Sequence, residues 1–389
     1  MEILVFSHVP SFPRNQGNRQ RIFEITNYFK KLGCIIHFAY FPREWSGRYV
    51  KTEIIEMQNN WDFVDVIAPS KKLTYKPIGD EFRIDEWWDE AIENYIKLKL
   101  SGIKFDACIV NYAFFSKLFE CLPPNVIKIL DTHDRLSNRK ELLEKQGLES
   151  DFFFTSREEE TKGLNRSDIV LSISKDEADY FRKNTTSTVL WLGHKHSKIQ
   201  ARPTKKSRIK KPIKEKIKFG FIGSRNQVNT KSILDFVAFA SKKWGKTAPN
   251  LEIIVAGKCS EALENFQDAP WLTLIGHVNN IELFYESLDC IIIPLFFGTG
   301  QKIKTVEALC YEVPILSSKH AFGGIRSSFE IHNLNSLADF IFQIEKISNE
   351  PKTLLEMKQH SNKILTSYND TIKKVENLFY EFLFNNKYQ

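Results

Sequence analysis

Short apolar runs alternate with amphipathic stretches along this chain, and their order predicts the fold. Ile3–Ser7 has the continuous apolar character of a strand buried on both faces. A loop with Pro10, Pro13 and Gly17 follows, then an amphipathic helix over Arg19–Lys31 closed by Gly33, then a second strand over Cys34–Tyr40. Strand, helix and strand in that order predict a βαβ unit opening a doubly wound parallel sheet. Residues 43–100 are less regular and carry Trp45, Trp61, Trp87 and Trp88, so helices and insertions are expected there. Further strands are expected at Ala107–Asn111, Val126–Asp131, Ile169–Ser172 and Thr188–Leu192. Helices are expected at 135–148, 151–166 and Lys175–Lys183.

A polar stretch from His194 to Lys218 holds Lys205, Lys206, Arg208, Lys210, Lys211, Lys214 and Lys216. It reads as a linker. A second series of apolar runs then begins: Ile217–Ile222, Leu251–Ala256, Leu272–Ile275, Cys290–Ile293 and Ile315–Leu316. The last segments, 350–366 and 369–386, have helical spacing. The expected domains are therefore residues 1–193, a basic linker at 194–216, and 217–368, with a final helix at 369–389. A chain of 389 residues is too long for one ordinary core, which agrees with two domains.

Bulk properties change this picture little. Net charge is +7, which suits anionic substrates or an anionic membrane face without demanding nucleic acid. No zinc spacing or nucleic-acid motif stands out. The six cysteines are scattered, several within apolar runs, and fit buried thiols in a reducing compartment rather than a disulfide framework. The first residues show no basic leader, and no apolar run approaches the ~20 residues of a membrane span. The expected location is cytoplasmic, with contact at the inner face of the cell membrane left open. The linker has two readings, a solvated tether or a strip held to an anionic bilayer.

The chemistry concentrates in residues 294–307. Gly298, Thr299, Gly300 and Gln301 form a glycine loop between the strand Cys290–Ile293 and a helical pattern. Lys302, Ile303 and Lys304 follow, then Glu307, about two turns into the expected helix. Such a loop presents backbone N–H groups and a helix N-terminus to an anion, and the lysines add full charges. A phosphate or diphosphate is the natural guest, and a carboxylate nearby can hold sugar hydroxyls. An ordinary strand-to-helix turn with solvated lysines is the competing reading. Gly223, Ser224 and Arg225 end the strand Phe219–Ile222, and His277 and Val278 end another. Both are positions outside strand carboxyl ends, where ligands of open α/β sheets bind.

The run 294–308 resembles the donor site of family 4 retaining glycosyltransferases, which have the GT-B fold. It matches the bacterial pattern Pro-Leu-x-Phe-Gly-x-Gly-x-Lys-x-Lys-x-x-Glu-Ala at every fixed position. Asp131-Thr132-His133-Asp134 and the turn Ala321-Phe322-Gly323-Gly324-Ile325 also resemble that family. The resemblance implies two Rossmann-like domains facing a central cleft, with a final helix crossing back to the first domain. It implies a nucleotide sugar as donor and a glycan or lipid-linked acceptor, in bacterial surface polysaccharide synthesis. It assigns Glu307 to the donor ribose, the loops at Gly223–Arg225 and Gly298–Lys304 to the diphosphate, and His277–Val278 to the base. His133 would lie beside the donor sugar, with Asp134 and Arg135 next and His8 a weaker candidate. Gly17, in the first loop, would approach the donor; Arg19 and Arg21 are either ligand contacts or surface charges. His133, Lys302 and Asp134 are the expected catalytic residues.

Two departures matter. The family's first glutamate of a pair is Thr299 here, and the cations usual after the first glycine are replaced near Ser224 and Asn229, leaving the phosphate charge to Lys302 and Lys304. No carboxylate pair for double displacement and no Asp-x-Asp metal motif is found, so a metal-independent reaction without a protein nucleophile is expected. The tryptophans of 43–100 would either line an acceptor site or fill core. Two other readings remain, a sugar-nucleotide epimerase and a non-catalytic partner subunit of a transferase.

Overall fold

The computed structural model describes residues 1–14, 16–42, 49–72, 74–150, 152–195, 216–247, 250–298 and 303–384, without the side chains of Tyr49 and Val50. The chain divides into two compact units. Met1–Lys195 and Ile372–Gln389 form the first, and His196–Thr371 the second.

The first unit runs β1 (Glu2–Ser7), α1 (Gly17–Lys31), β2 (Ile35–Tyr40), α2 (Tyr49–Gln58), β3 (Phe63–Val66), α3 (Glu90–Leu100) and β4 (Ala107–Asn111). A 3-10 helix, Ala113–Cys121, leads to β5 (Ile127–Asp131), α4 (Arg139–Glu144), α5 (Arg157–Leu164), β6 (Ile169–Ser172), α6 (Lys175–Asn184) and β7 (Thr188–Trp191). The seven strands form one sheet in the order β3-β2-β1-β4-β5-β6-β7, with parallel pairing throughout. β4 is buried along its whole length, which is why its sequence is an unbroken apolar run up to Asn111. Asp89, Ser156 and Ser174 start α3, α5 and α6 by accepting hydrogen bonds from first-turn N–H groups.

The second unit runs β8 (Ile217–Ile222), α7 (Gln227–Trp244), β9 (Leu251–Ala256), a 3-10 helix (Lys258–Phe266), β10 (Leu272–Gly276), α8 (Ile281–Ser287), β11 (Cys290–Ile293), α9 (Ile303–Cys310), β12 (Ile315–Ser317), a 3-10 turn (Glu330–His332), α10 (Leu337–Asn349) and α11 (Thr353–Phe384). Its sheet order is β10-β9-β8-β11-β12, again parallel. α10 opens with a capping box between Ser336 and Asp339. Residues Thr353–Thr371 of α11 belong to this unit. Ile372–Phe384 belong to the first, where Phe379 is buried against Tyr28 and Phe29.

Three local expectations change. The two helical segments at 350–366 and 369–386 are one helix, because no glycine or proline interrupts Thr353–Phe384. The helices of 135–148 and 151–166 shrink to α4 and α5. Asn138 takes a left-handed conformation before α4, and Phe153 leaves the helical pattern to stack on Phe82 in the core. Trp61, Trp87 and Trp88 are buried core residues, so the acceptor-platform reading falls for these three; Trp45 lies outside the described residues. None of the six cysteines, all among the described residues, forms a disulfide. Most of the basic linker also lies outside the described residues. No helix among the described residues is long and apolar enough to cross a membrane.

Candidate functional site

In the second unit the chain winds outward from β8 to β9 and β10, then returns to place β11 on the other side of β8. The gap between the carboxyl ends of β8 and β11 is therefore the topological switch point, where open α/β sheets bind ligands. β8 ends in Gly223 and Ser224, and β11 runs toward the glycine loop and α9.

The β8 end is shaped by contact with its neighbour. Gly257, after β9, has φ +84°, and a Cβ there would stand 2.2 Å from the Gly223 carbonyl oxygen. The Gly223 N–H donates to the Ala256 carbonyl, so the two loops lock together. Asn226 caps α7 by accepting from the Asn229 N–H at 2.8 Å, which leaves a helix N-terminus beside the exposed Ser224. Asn229 is buried, and its amide nitrogen donates to the carbonyl and hydroxyl oxygens of Ser224, both at 3.3 Å.

Lys304 reaches this cluster from α9. Its ammonium donates to Asn229 Oδ1 at 2.5 Å and stands 4.9 Å from the centre of the Phe221 ring. Glu307 lies three residues on, on the same helix face. It sits just over one turn into α9, not two, because the helix begins at Ile303. Its carboxylate accepts from the Tyr285 hydroxyl at 3.1 Å, and Tyr285 is buried and stacked on Tyr311. Burial holds the Glu307 carboxyl above its ordinary range, opposed by that hydrogen bond and by the Lys304 charge. Burial and the adjacent carboxylate hold the Tyr285 hydroxyl protonated well past its usual range.

The base of α9 is fixed from behind. Thr305 donates to the Ala321 carbonyl at 2.7 Å, and Ser318 bridges Leu295 and the Ala321 N–H. The small-residue turn at 321–325 thus anchors the loop and the helix that carries Lys304 and Glu307. Gly324, with φ +82°, lets the turn fold back.

Other predicted residues sit differently. Arg225 is exposed and paired with Glu261 at 3.1 Å. Lys231 pairs with Asp235 one turn along α7. His277 is exposed and Val278 half-buried after β10. Gly298 has φ +110°, a conformation that suits only glycine. Thr299, Gly300, Gln301 and Lys302 lie outside the described residues.

The first unit has its own switch point, between β1 and β4. Tyr112 follows β4 there with φ +72°, and His133 follows the adjacent β5 with φ +59°. Both backbones are unusual for non-glycine residues, and such strain gathers at sites over-determined by their surroundings. The two rings stack 4.2 Å apart at 6°. His8 packs edge-on against Tyr112. Asn18, next to Gly17 at the start of α1, donates to the Tyr112 hydroxyl at 3.3 Å. Arg21 is no surface charge. It is buried, and its guanidinium binds both oxygens of the fully buried Asp131 at 2.6–2.9 Å. Asp134 pairs with Arg139 at 2.5 Å. Glu160 and Glu177 hold the loop after His133 by accepting from the backbone of Leu136 and Arg135.

Sequence reasoning missed Tyr112, Asn111 and Tyr285. Their one signal was position, at or just beyond a strand end or within a helix facing α9. Among the described residues, no group of three or more His, Cys, Asp or Glu is arranged to hold a metal ion.

Residues 216–343, which contain the described second-unit cluster, match the family model "Glycosyl transferases group 1". No curated protein matches the chain. Among solved structures, TarM of S. aureus superposes with a TM-score of 0.69 at 11% identity, covering 98% of each chain. Sucrose-phosphate synthase from Thermosynechococcus elongatus gives 0.67 at 14%, again with 98% of each chain covered. The pneumococcal O-GlcNAc transferase GtfA, solved with UDP and GlcNAc, gives 0.63 at 11% over 98% of each chain. The fold is GT-B, and the second unit carries a glycosyltransferase domain.

Proposed function

We infer that the chain is a retaining glycosyltransferase that moves a sugar from a nucleoside diphosphate sugar to a glycan or lipid-linked acceptor. The observation that carries this reading is the pairing of Lys304 and Glu307 on one face of α9, at the second unit's switch point. Lys304, the Ser224 hydroxyl and the N-terminus of α7 form an anion cradle, and Glu307 offers a carboxylate to vicinal hydroxyls. Solved relatives of the same fold are recorded with UDP, and one with UDP-glucose.

In this reading the acceptor hydroxyl oxygen bonds to the anomeric carbon on the face from which the diphosphate departs. The carbon–oxygen bond to the leaving phosphate breaks, and the hydroxyl proton passes to a phosphate oxygen. The protein positions the reactants and neutralises charge growing on the leaving group. That charge falls to Lys304 and Lys302, and no metal has a part. His133 and Asp134 are assigned to the transferred sugar on the resemblance alone. Surface-polysaccharide synthesis remains part of the proposal on the same ground, and contact with an anionic membrane on the basic linker and the net charge of +7.

Thermal shifts with UDP, GDP, ADP and CMP test the donor site. A nucleotide at 100-fold its dissociation constant adds about 2.7 kcal/mol to stability. One nucleotide should raise the melting temperature, and Lys304→Ala and Glu307→Ala should abolish the rise while remaining folded. No shift with any nucleotide would overturn the reading.

A further inference from the structure

His133 Nε2 lies 2.9 Å from Asn111 Oδ1 and 3.2 Å from Asp131 Oδ2. The Asn111 amide nitrogen donates to the Phe6 carbonyl at 2.9 Å, which fixes its oxygen toward the histidine. Both groups facing Nε2 are therefore acceptors, so Nε2 carries the proton and Nδ1 keeps a free lone pair.

A buried carboxylate this close would ordinarily draw a second proton onto the ring. Asp131 is instead occupied by Arg21, whose Nε binds both oxygens at 2.9 Å and whose Nη2 binds Oδ1 at 2.6 Å. Nη1 donates to the Leu192 carbonyl at 2.7 Å, so the guanidinium is anchored from α1 to the end of β7. The charged and titratable groups around the ring are Asp131 and Asp134 from the β5 end, Arg21 from α1 and Arg139 from α4. Tyr112 stands after β4, with His8 behind it after β1, and Glu160 and Glu177 stand on α5 and α6. Burial dominates among these influences and pushes the imidazole down to about 4, with Asp131 opposing and Arg21 assisting.

We propose that Arg21 is a positioning residue that cancels the charge of Asp131 and so keeps His133 a neutral imidazole, protonated on Nε2, with Nδ1 offered as an acceptor to a sugar hydroxyl. The last part rests on the reading that His133 faces the transferred sugar. The chemistry requires neutrality there. Positive charge develops on a sugar ring as its glycosidic bond breaks, and an imidazolium beside it would oppose that charge.

Nitrogen-detected NMR of the imidazoles in the full-length, nucleotide-free chain tests the proposal, with His133 identified by its loss in His133→Gln. The wild type should show a neutral ring with the proton on Nε2 at pH 7, still neutral at pH 5. Arg21→Met leaves Asp131 unbalanced, and His133 should then titrate measurably higher than in the wild type, although burial still holds it down. Arg21→Lys should restore a low value in part. If Arg21→Met does not fold, Arg21→Met/Asp131→Asn removes both charges and should return His133 to the neutral Nε2–H form. A protonated wild-type ring at pH 7, an Nδ1–H tautomer, or a titration unmoved in Arg21→Met would each overturn the proposal. None of these readouts needs transfer activity, so failure of the nucleotide test and failure here are separate results.

Discussion

At the scale of single residues, Glu307 and Tyr285 give the sharpest expectations. The folded carboxyl binds its proton more tightly than the unfolded one, because burial outweighs its partners. The native state then holds more protons through the carboxylate range, and the stability tied to this group is lost as pH rises through the raised value. At neutral pH Glu307 is thus a cost to folding. Glu307→Gln should raise the melting temperature of the free chain at pH 7 and abolish the nucleotide-induced shift; a lower melting temperature would refute this. Tyr285→Phe removes a hydrogen bond to a charged group, worth about 1.5–3 kcal/mol. Nucleotide affinity by calorimetry should fall roughly tenfold or more, and unchanged affinity would remove Tyr285 from the site. Glu307 was visible in the sequence because it stands in a spaced motif. Tyr285 was not, because a tyrosine within a short amphipathic helix looks the same whether it fills core or orients a carboxylate. Arg21 is the opposite case. An arginine in the second turn of an amphipathic helix reads as a surface charge until the sheet brings Asp131 to it.

At the scale of elements, the loops at strand ends carry the proposed site, and their glycines differ in what they require. Gly257→Ala should cost at least about 2 kcal/mol, because it combines a left-handed backbone with a clash against the Gly223 carbonyl. By displacing Gly223 and Ser224 it should also abolish nucleotide binding. Gly245, after α7, has φ +51° but open space around its Cβ position. Gly245→Ala should therefore cost only backbone strain, about 1–3 kcal/mol, and leave nucleotide affinity intact. Denaturation and calorimetry on both variants separate backbone strain from site geometry, and equal effects on affinity would show that the loop contact is irrelevant. Strands buried on both faces, such as Ala107–Asn111, were legible because an unbroken apolar run has few other uses. Helices α4 and α5 were overextended because Phe153 fits a helical spacing while packing demands it elsewhere.

At the scale of the whole molecule, α11 contributes residues to both units. Ile372, Phe379 and Leu383 are buried in the first unit although they are its last residues in sequence. A chain ending at Thr371 loses three apolar side chains worth about 1.5–3 kcal/mol each. Its first unit should melt at a distinctly lower temperature while the second is little changed. Scanning calorimetry reads both transitions, and an unaltered first transition would contradict the packing.

By itself the sequence determined the alternation of strands and helices and the division into two α/β halves, and it set Glu307 in a spaced motif. Each of these depends on residue type and spacing within a few turns of chain. Only the tertiary structure decided the rest. It paired Lys304 with Asn229, locked Gly257 against Gly223 and set Arg21 on Asp131 beside His133. Such contacts join residues 34 to 110 positions apart, and no local pattern encodes them. They follow from strand order, because parallel winding gathers the carboxyl ends of distant strands at one edge of the sheet.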